Sequence, residues 1–324
     1  MTRVGLGCVN LGSGAGGRTI DDVALVHAAL ELGVTTFDTA DVYGNGASEH
    51  VLGRALRGRR DEVVIATKGG FVFRERRRVE QWGRRRAKHA LGTVRSRLER
   101  STAPRGSSFG SGGGSYSQRD LSPGHLRRAV HESLRRLRTD RIDVYQLHAP
   151  EEVVPELFDQ LADLVVVGDV VRFGVGASSV ASADRWLGVD GLGLVQVPFG
   201  VLDPEAAATT LPIARRDGLE VWVRGVLGGG VLGLASSDPA ALANHPKRAR
   251  VEALELLARQ SGVDLFQLAL GFVRAKADEV STVLVGTSSV AHLRDSVDAL
   301  AAPALPADVV QALADLGSDE PEVR

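Results

Sequence analysis

Eight short runs of apolar residues alternate with helical patterns along this chain, and this alternation constrains the fold more than any other feature of the sequence. Each run ends in polar or glycine residues, and in order they read RVGLGCV, TTFDTA, EVVIATK, IDVYQLH, VVRFGVGAS, GLVQVPF, EVWVRGV and STVLVGTS. Nearly continuous apolar runs are typical of parallel strands covered on both faces by crossover helices. Eight such units predict a single α/β domain over residues 1–324, a (β/α)8 TIM barrel whose chemistry lies at the carboxyl ends of the strands.

Helical segments are readable between the predicted strands. The clearest begins at Ser122 and Pro123, an N-cap followed by a first-turn proline. Apolar residues then recur at helical spacing along one face, at Leu126, Val130, Leu134 and Leu137. Similar patterns predict helices over residues 21–32, 48–56, 153–166, 206–216, 251–260 and 292–299, and no linker divides these units into separate domains.

The overall charge and the cysteine content narrow the class of protein. Lys and Arg number 39 against 40 Asp and Glu, for a formal net charge of -1, so neither nucleic acid nor a membrane is expected as a partner. Cys8 is the sole cysteine, which excludes a cysteine-rich metal site and favours a cytoplasmic location. The sequence has neither a membrane-spanning apolar run of about 20 residues nor a secretion signal. We expect a monomer or a small homo-oligomer that holds no metal.

A long insertion interrupts the alternation after the third predicted strand. Residues 71–119 include an arginine-rich part, FRERRRVEQWGRRRAKHA, and a glycine- and serine-rich part, GSSFGSGGGSYSQ. Because the insertion leaves the carboxyl end of a strand, its base is expected at the functional rim. One interpretation is a mobile lid whose arginines meet an anionic substrate group or cofactor phosphates, and another is a disordered loop. The balanced charge of the remaining chain disfavours a nucleic-acid-binding arm.

The segment GSGAGG offers a rival interpretation of the fold. It matches the dinucleotide-binding pattern G-x-G-x-x-G at Gly12, Gly14 and Gly17, and Asp38 follows at the distance of a ribose-binding acid. A doubly wound domain, however, does not explain why polar residues able to do chemistry end the second, third and fourth strands. We therefore favour a loop after the first strand, and keep the dinucleotide fold as the alternative.

Four side chains at the strand ends form a candidate proton-transfer site. Asp38 and Tyr43 follow the second strand, Lys68 ends the third, and His148 ends the fourth. Each has an ordinary explanation alone, such as a turn cap, a solvated lysine or a hydrogen-bonded core histidine. Together, Asp38 can orient a charged Lys68, whose ammonium is expected to lower the pKa of Tyr43 from about 10. His148 can then donate a hydrogen bond to the substrate oxygen that Tyr43 protonates.

Four motifs carry a resemblance to a known family: FDTADVYGNGASE, ATKGG, SLRRLRTDRIDVYQLHAPE and VGASS. In this order and at strand ends they resemble the aldo-keto reductase superfamily, and the resemblance covers Arg3 to Leu300. It implies a (β/α)8 barrel that binds NADPH, or NADH, in an extended pose without a dinucleotide fold. It also implies a catalytic tetrad of Asp38, Tyr43, Lys68 and His148. Tyr43 would be the general acid, and hydride would pass to an aldehyde or ketone.

The resemblance also implies a cofactor site. Ser178 and Ser179 resemble the pair that binds the carboxamide, and Gln196 resembles the glutamine that completes this contact. Arg224 stands where many members place an aromatic residue under the nicotinamide ring, and a guanidinium plane can also lie against a ring. The implied contacts are completed by Asp38, Gly225, Leu227, Gly286, Thr287, Ser288, His292, Asp295 and Ser296.

The region after the eighth strand departs from the family pattern. His292 stands where an arginine or glutamine is common, and Ser296 stands where an asparagine is usual. Thr287, Ser288 and the amides of the following helix start can still bind a phosphate, because helix N-termini attract anions. The choice between NADPH and NADH therefore stays open.

Three functions are compatible with these residues. The first is an NAD(P)H-dependent reductase acting on an aldehyde or ketone, and the small Val9 at the rim together with the insertion favours a sugar or another bulky polar substrate. The second is an NAD-dependent sugar (aldose) dehydrogenase that runs the same chemistry oxidatively. The third is a cofactor-binding regulatory subunit with slow turnover, which the intact tetrad argues against.

Overall fold

Eight parallel strands close into a barrel in sequence order. The structure, a computed structural model, describes residues 2–12, 21–72 and 118–318. Within these ranges the strands are β1 (Arg3–Gly7), β2 (Thr36–Asp38), β3 (Val64–Gly69), β4 (Ile142–His148), β5 (Val170–Gly176), β6 (Leu192–Pro198), β7 (Glu220–Arg224) and β8 (Thr282–Gly286). Each strand pairs with the next, and β8 pairs with β1. The predicted (β/α)8 barrel is confirmed, and the closed sheet overturns the dinucleotide fold, whose sheet is open.

Helices follow the strands around the outside of the barrel. In the described ranges they are α1 (Asp22–Glu31), α2 (Ala47–Ala55), α3 (Pro123–Leu137), α4 (Leu157–Gln160), α5 (Ala162–Val166), α6 (Val180–Asp184), α7 (Thr210–Arg216), α8 (Leu234–Ser237), α9 (Pro239–Ala243), α10 (Arg248–Ser261), α11 (Leu265–Arg274), α12 (Val290–Ala301) and α13 (Ala307–Ser318). Short 3-10 helices span Arg60–Glu62, Glu205–Ala207 and Gly228–Gly233. None of the helices in these ranges combines the length and apolar character needed to cross a bilayer.

Local capping chemistry explains where the helices begin. The Ser122 side chain accepts a hydrogen bond from the backbone nitrogen of His125 at the start of α3, and Pro123 occupies the first turn. Asp264 caps α11 in the same way by accepting from Phe266 and Gln267. The start of α3 confirms the prediction, whereas α11 was not expected.

Two predicted helices are interrupted. The segment 153–166 holds only α4 and α5, which meet at the non-helical backbone of Leu161. Pro155 disfavours helical geometry at the residue before it, so no helix begins at Val153. In segment 206–216, Thr209 has a non-helical φ of -128° and ψ of -70°, and α7 begins only after it.

The strand register gathers the carboxyl ends of the strands at one rim. Asp38 lies beside Ala66, Lys68 beside Gln146, His148 beside Gly176, Gly176 beside Gln196, and Pro198 beside Arg224. The barrel interior below this rim holds a buried cluster drawn from five strands, namely Ala66, Val144, Leu194, Trp222 and Leu284. The larger core fills the space between the strands and the helices.

The base of the insertion lies at the same rim. Phe71 and Arg119 form an antiparallel bridge directly beyond β3. The remainder, residues 73–117, lies outside the described residues, as do Gly14 and Gly17 of the GSGAGG segment. The lid and the disordered loop therefore stay predictions.

Candidate active site

A buried lysine–aspartate pair lies at the centre of the rim. Lys68 Nζ lies 2.6 Å from Asp38 Oδ1 and 2.5 Å from Asp38 Oδ2, and it also donates to the Thr39 carbonyl at 3.1 Å. The amides of Gln146 and Gln196 each donate to Asp38 Oδ1 at 3.0 Å. The carboxylate is thus held by donors from three other strands. The sequence had not indicated Gln146, and it had indicated Gln196 only as a contact to the cofactor carboxamide.

Tyr43 reaches this pair from the loop between β2 and α2. Lys68 Nζ lies 5.6 Å from the centroid of the Tyr43 ring. The His148 ring meets the Tyr43 ring edge-on, with centroids 5.7 Å apart and an interplanar angle of 86°. The structure therefore brings Asp38, Tyr43, Lys68 and His148 together, as the sequence predicted.

The expected direction of the Tyr43 pKa is wrong. Burial of the phenol raises its pKa above the usual value, and the opposing charge of Lys68 is the smaller effect. Burial disfavours the charged phenolate, and its extent cannot be read from the spacing of residues in the sequence. Tyr43 therefore keeps its proton at neutral pH, but the raised pKa also makes it a weaker acid, so proton donation depends on stabilisation of the phenolate by Lys68.

His148 lies opposite Tyr43 as a neutral imidazole. Burial lowers its pKa well below the usual range, and the charges of Lys68, Arg224 and Arg119 add to this effect in that order. Among the described residues, no group forms a hydrogen bond with the buried His148 Nδ1. A neutral imidazole has one N–H and one acceptor nitrogen, so His148 can donate a single hydrogen bond without bringing a charge.

Hydroxyl groups anchor the loop that carries Tyr43. Thr39 and Ser48 are linked through their hydroxyls at 2.7 Å, and Ser48 donates to the Cys8 carbonyl at 2.9 Å. The backbone nitrogen of Ser48 donates to the Tyr43 carbonyl at 3.2 Å. The loop is thereby tied at both of its ends, to β2 and to the segment after β1.

A second buried ionic cluster lies behind this loop. Arg136 Nε on α3 lies 2.6 Å from Glu49 Oε2 on α2, and both side chains are 0% exposed. Thr67, the neighbour of Lys68, donates to Glu49 Oε1 at 2.6 Å. Asp41 is also buried, with no hydrogen-bond partner for its carboxyl oxygens among the described residues. Burial, and then the charge of Glu49, raise the pKa of Asp41 well above its usual value.

The residues expected to hold the nicotinamide lie at the ends of β5, β6 and β7. Arg224 donates to the carbonyls of Ala177 and Ser178 at 2.6 and 3.3 Å. The Ser179 hydroxyl caps α6 by accepting from the backbone nitrogen of Ser182 at 3.2 Å. Three adjacent strand ends thus carry polar groups: the serine hydroxyls after β5, the Gln196 amide on β6 and the Arg224 guanidinium on β7.

The segment after β8 presents polar groups beside them. Gly286, Ser288, His292 and Asp295 are exposed, and Thr287 is half-buried. The Thr287 hydroxyl accepts from the backbone nitrogen of Ser289, which caps α12. Ser296, in contrast, is buried, and its hydroxyl donates to the His292 carbonyl inside α12 at 2.8 Å.

The rim has room as well as donors on this side. A Cβ atom built at Gly225 or Gly286 would meet nothing within 4 Å, and Leu227 lies half-buried at the start of the turn that follows β7. Open space lined by amide, hydroxyl and guanidinium groups fits the carboxamide and phosphate groups of a nicotinamide cofactor. The residues present are therefore compatible with such a cofactor.

Comparison with known proteins agrees with this arrangement. The model of the Aldo/keto reductase family matches residues 3–317. Aldo-keto reductase YhdN from Bacillus subtilis is 27% identical over 237 residues, which cover 71% of this chain and 60% of YhdN. The match thus spans less than two thirds of that relative's length.

Solved structures share the whole fold. Aldo-keto reductase AKR11C1 from Bacillus halodurans, in its holo form, superimposes with a TM-score of 0.75 and 28% identity over 97% of this chain and 91% of its own. Glycerol dehydrogenase AKR11B4 from Gluconobacter oxydans gives a TM-score of 0.70 and 26% identity over 97% and 90%. Both likenesses extend over nearly all of the chain.

Proposed function

The chain belongs to the Aldo/keto reductase family, whose members use nicotinamide cofactors, and we propose that it is an NAD(P)-dependent oxidoreductase that reduces an aldehyde or ketone. The observation that carries the proposal is the buried Lys68–Asp38 pair beneath the Tyr43 ring, with His148 edge-on against the same ring. A proton donor, a cation and a neutral hydrogen-bond donor thus lie around one position at the strand ends, where barrel enzymes carry their chemistry.

Each member of the tetrad has a role in the proposed reaction. When bound, NADPH or NADH supplies a hydride to the carbonyl carbon of the substrate. Tyr43 Oη donates its proton to the carbonyl oxygen, and a ring N–H of His148 donates a hydrogen bond to the same oxygen. Lys68 stabilises the phenolate left behind, and Asp38 orients Lys68 through the two contacts of 2.6 and 2.5 Å.

The cofactor would lie across the ends of β5 to β8. Ser178, Ser179 and Gln196 would hold the carboxamide, and Arg224 would lie against the nicotinamide ring. Further contacts would come from Gly225, Leu227, Gly286, Thr287, Ser288, His292 and Asp295. Thr287, Ser288 and the start of α12 would hold a 2′-phosphate. Because Ser296 is buried and its hydroxyl donates to a carbonyl within its own helix, we propose that it stabilises α12 rather than contacting the cofactor. We propose NADPH as the cofactor, with NADH as the alternative.

Oxidation of an alcohol, as in a sugar dehydrogenase, is the second candidate function. It is favoured by the likeness to a protein named as a glycerol dehydrogenase. Oxidation needs the Tyr43 phenolate as the base, and burial raises the pKa of Tyr43, so the phenolate is scarce at neutral pH. We therefore propose reduction as the main direction near pH 7, because the protonated phenol is the form that donates to the carbonyl oxygen.

Turnover measured in both directions tests the proposal. A panel of aldehydes, ketones and sugars is offered with NADPH and with NADH, and the matching alcohols are offered with the oxidised cofactors. We expect reduction near pH 7 and a rise in oxidation at alkaline pH. Tight cofactor binding without turnover on any member of the panel would instead support a regulatory subunit.

A further inference from the structure

Arg119 lies at the catalytic rim through two successive ring contacts. Its guanidinium carbon lies 5.0 Å from the centroid of the Phe71 ring. The Phe71 ring meets the His148 ring edge-on, with centroids 5.1 Å apart and an angle of 83°. The backbone bridge between Phe71 and Arg119 fixes both residues beyond the end of β3. A positive charge is thus held near His148, with the Phe71 ring in contact with both side chains.

The guanidinium of Arg119 already holds a carboxylate that can be exchanged. Its Nη1 forms an ion pair with Glu151, whose side chain is 72% exposed, whereas the Arg119 side chain is 30% exposed. The arginine is held by its ring contact and the glutamate extends into solvent, and exposed ion pairs of this kind contribute little to stability. Within the described residues, the buried Nε of Arg119 has no hydrogen-bond partner, so donor capacity remains when the pair is made.

The electrostatic environment at this end of the site is positive. The charges of Lys68, Arg224 and Arg119 all act on His148 and lower its pKa, after burial. Of these cations, Lys68 is paired with the buried Asp38 carboxylate, and Arg119 is paired with the exposed Glu151 carboxylate. A negatively charged substrate would therefore be attracted to the rim and could replace Glu151.

We propose that Arg119 is a specificity residue that binds a carboxylate group of the substrate, in exchange for Glu151, while the substrate carbonyl lies between Tyr43 and His148. The inference rests on the proposed reductase function and names its substrate class as carbonyl compounds that also carry a carboxylate. A guanidinium fork matches the planar geometry of a carboxylate with two parallel hydrogen bonds. Phe71 lies between the arginine and the imidazole and would pack against the part of the substrate that joins the two groups.

A matched pair of aldehydes tests the proposal by kinetics. The pair is 4-carboxybenzaldehyde and methyl 4-formylbenzoate, which share one frame and differ in charge. The quantity measured is the ratio of kcat/KM for the acid to that for the ester. We expect Arg119→Gln to lower this ratio about tenfold or more, because a hydrogen-bonded charge is lost. Glu151→Gln should raise the ratio, since it removes the competing carboxylate.

Arg127→Gln is the matched control. Arg127 lies on α3 and donates hydrogen bonds to Asp163, at 2.8 Å, and to the Gln160 carbonyl, so its replacement removes the same charge without removing a contact to any residue of the proposed site. The acid-to-ester ratio should be unaltered in this variant. An equal fall in Arg127→Gln and Arg119→Gln would show a general charge effect, and an unchanged ratio in Arg119→Gln would overturn the proposal outright.

Product binding separates failure of this inference from failure of the proposed function. Calorimetric titration of 4-(hydroxymethyl)benzoate into the wild-type protein and into Arg119→Gln, each with NADP⁺, needs no turnover. We expect the dissociation constant to rise about tenfold or more in the variant. Turnover of neither aldehyde would count against the reductase function, whereas equal binding by both proteins, or none by the wild type, would rule out the carboxylate site at Arg119.

Discussion

Replacing Glu49 with leucine is expected to destabilise the protein by about 3 kcal/mol, because it leaves the buried Arg136 charge without its carboxylate. Loss of one partner of a buried ion pair typically costs about 3–5 kcal/mol. The lower end applies here because Arg136 keeps contacts with Ser133 Oγ at 3.2 Å and with Glu132 Oε2 at 3.4 Å. Thr67 loses the acceptor of its 2.6 Å hydrogen bond, which is included in that figure.

The double variant Glu49→Leu with Arg136→Met should be more stable than the single variant. Removing both charges leaves no unpaired ion in the interior, and apolar side chains can fill the space. The remaining cost is the hydroxyl of Thr67 without its acceptor, about 1 kcal/mol. The free energy of unfolding of the double variant is therefore expected to be about 2 kcal/mol higher than that of Glu49→Leu. A second substitution that restores stability shows that the two sites interact, because the effects of independent sites would add.

Urea unfolding followed by tryptophan fluorescence measures these differences, since Trp186 and Trp222 are buried. Arg127→Met, on the same helix but in an exposed pair, is the control and should unfold close to the wild-type midpoint. Reversibility is verified by refolding before free energies are compared. A Glu49→Leu protein as stable as wild type, or a double variant less stable than Glu49→Leu, would refute the reasoning.

Three further outcomes are expected. Tyr43→Phe should lower the rate of carbonyl reduction about 10²- to 10⁴-fold, because the proton donor is lost, with little change in the cofactor dissociation constant measured by fluorescence. The pKa of His148 is depressed in the folded protein, so below about pH 6.5 the unfolded chain binds more protons. The free energy of unfolding should then be retained above that pH and should fall as the pH drops toward the folded pKa, with a shallower decline in His148→Gln. His292→Arg should shift the ratio of kcat/KM values toward NADPH, and an unaltered ratio would place any phosphate contact elsewhere.

The barrel and the proximity of Asp38, Tyr43, Lys68 and His148 could be predicted because both depend on signals local to each strand. Apolar runs mark the strands, and the residue that ends each run lies at the rim of a closed barrel. Gln146 was missed, although it lies two positions before His148 in β4, and alternation along a strand places both side chains on one face. Helix α11 was also missed, although Asp264 supplies an N-cap before it.

Other features have no local signal in the sequence. Glu49 and Arg136 are 87 positions apart, and only the packing of α2 against α3 reveals that they meet. The direction of the Tyr43 pKa depends on how burial compares with the Lys68 charge, which residue types and spacing do not give. The contact between Arg119 and Phe71 depends in the same way on a bridge between chain segments that are distant in sequence.

The bonding of Asp38 has a consequence for how this lineage can change. Its carboxylate joins β2 to β3, β4 and β6 through Lys68, Gln146 and Gln196, so selection for a folded barrel preserves the aspartate whether or not the protein turns over a substrate. Tyr43 contacts His148 through its ring, a contact that phenylalanine would keep. A descendant that abandoned catalysis could exchange the tyrosine at little structural cost while retaining the aspartate. Under the proposed mechanism, the tyrosine, rather than the aspartate, is therefore the residue by which active and inactive descendants would be told apart.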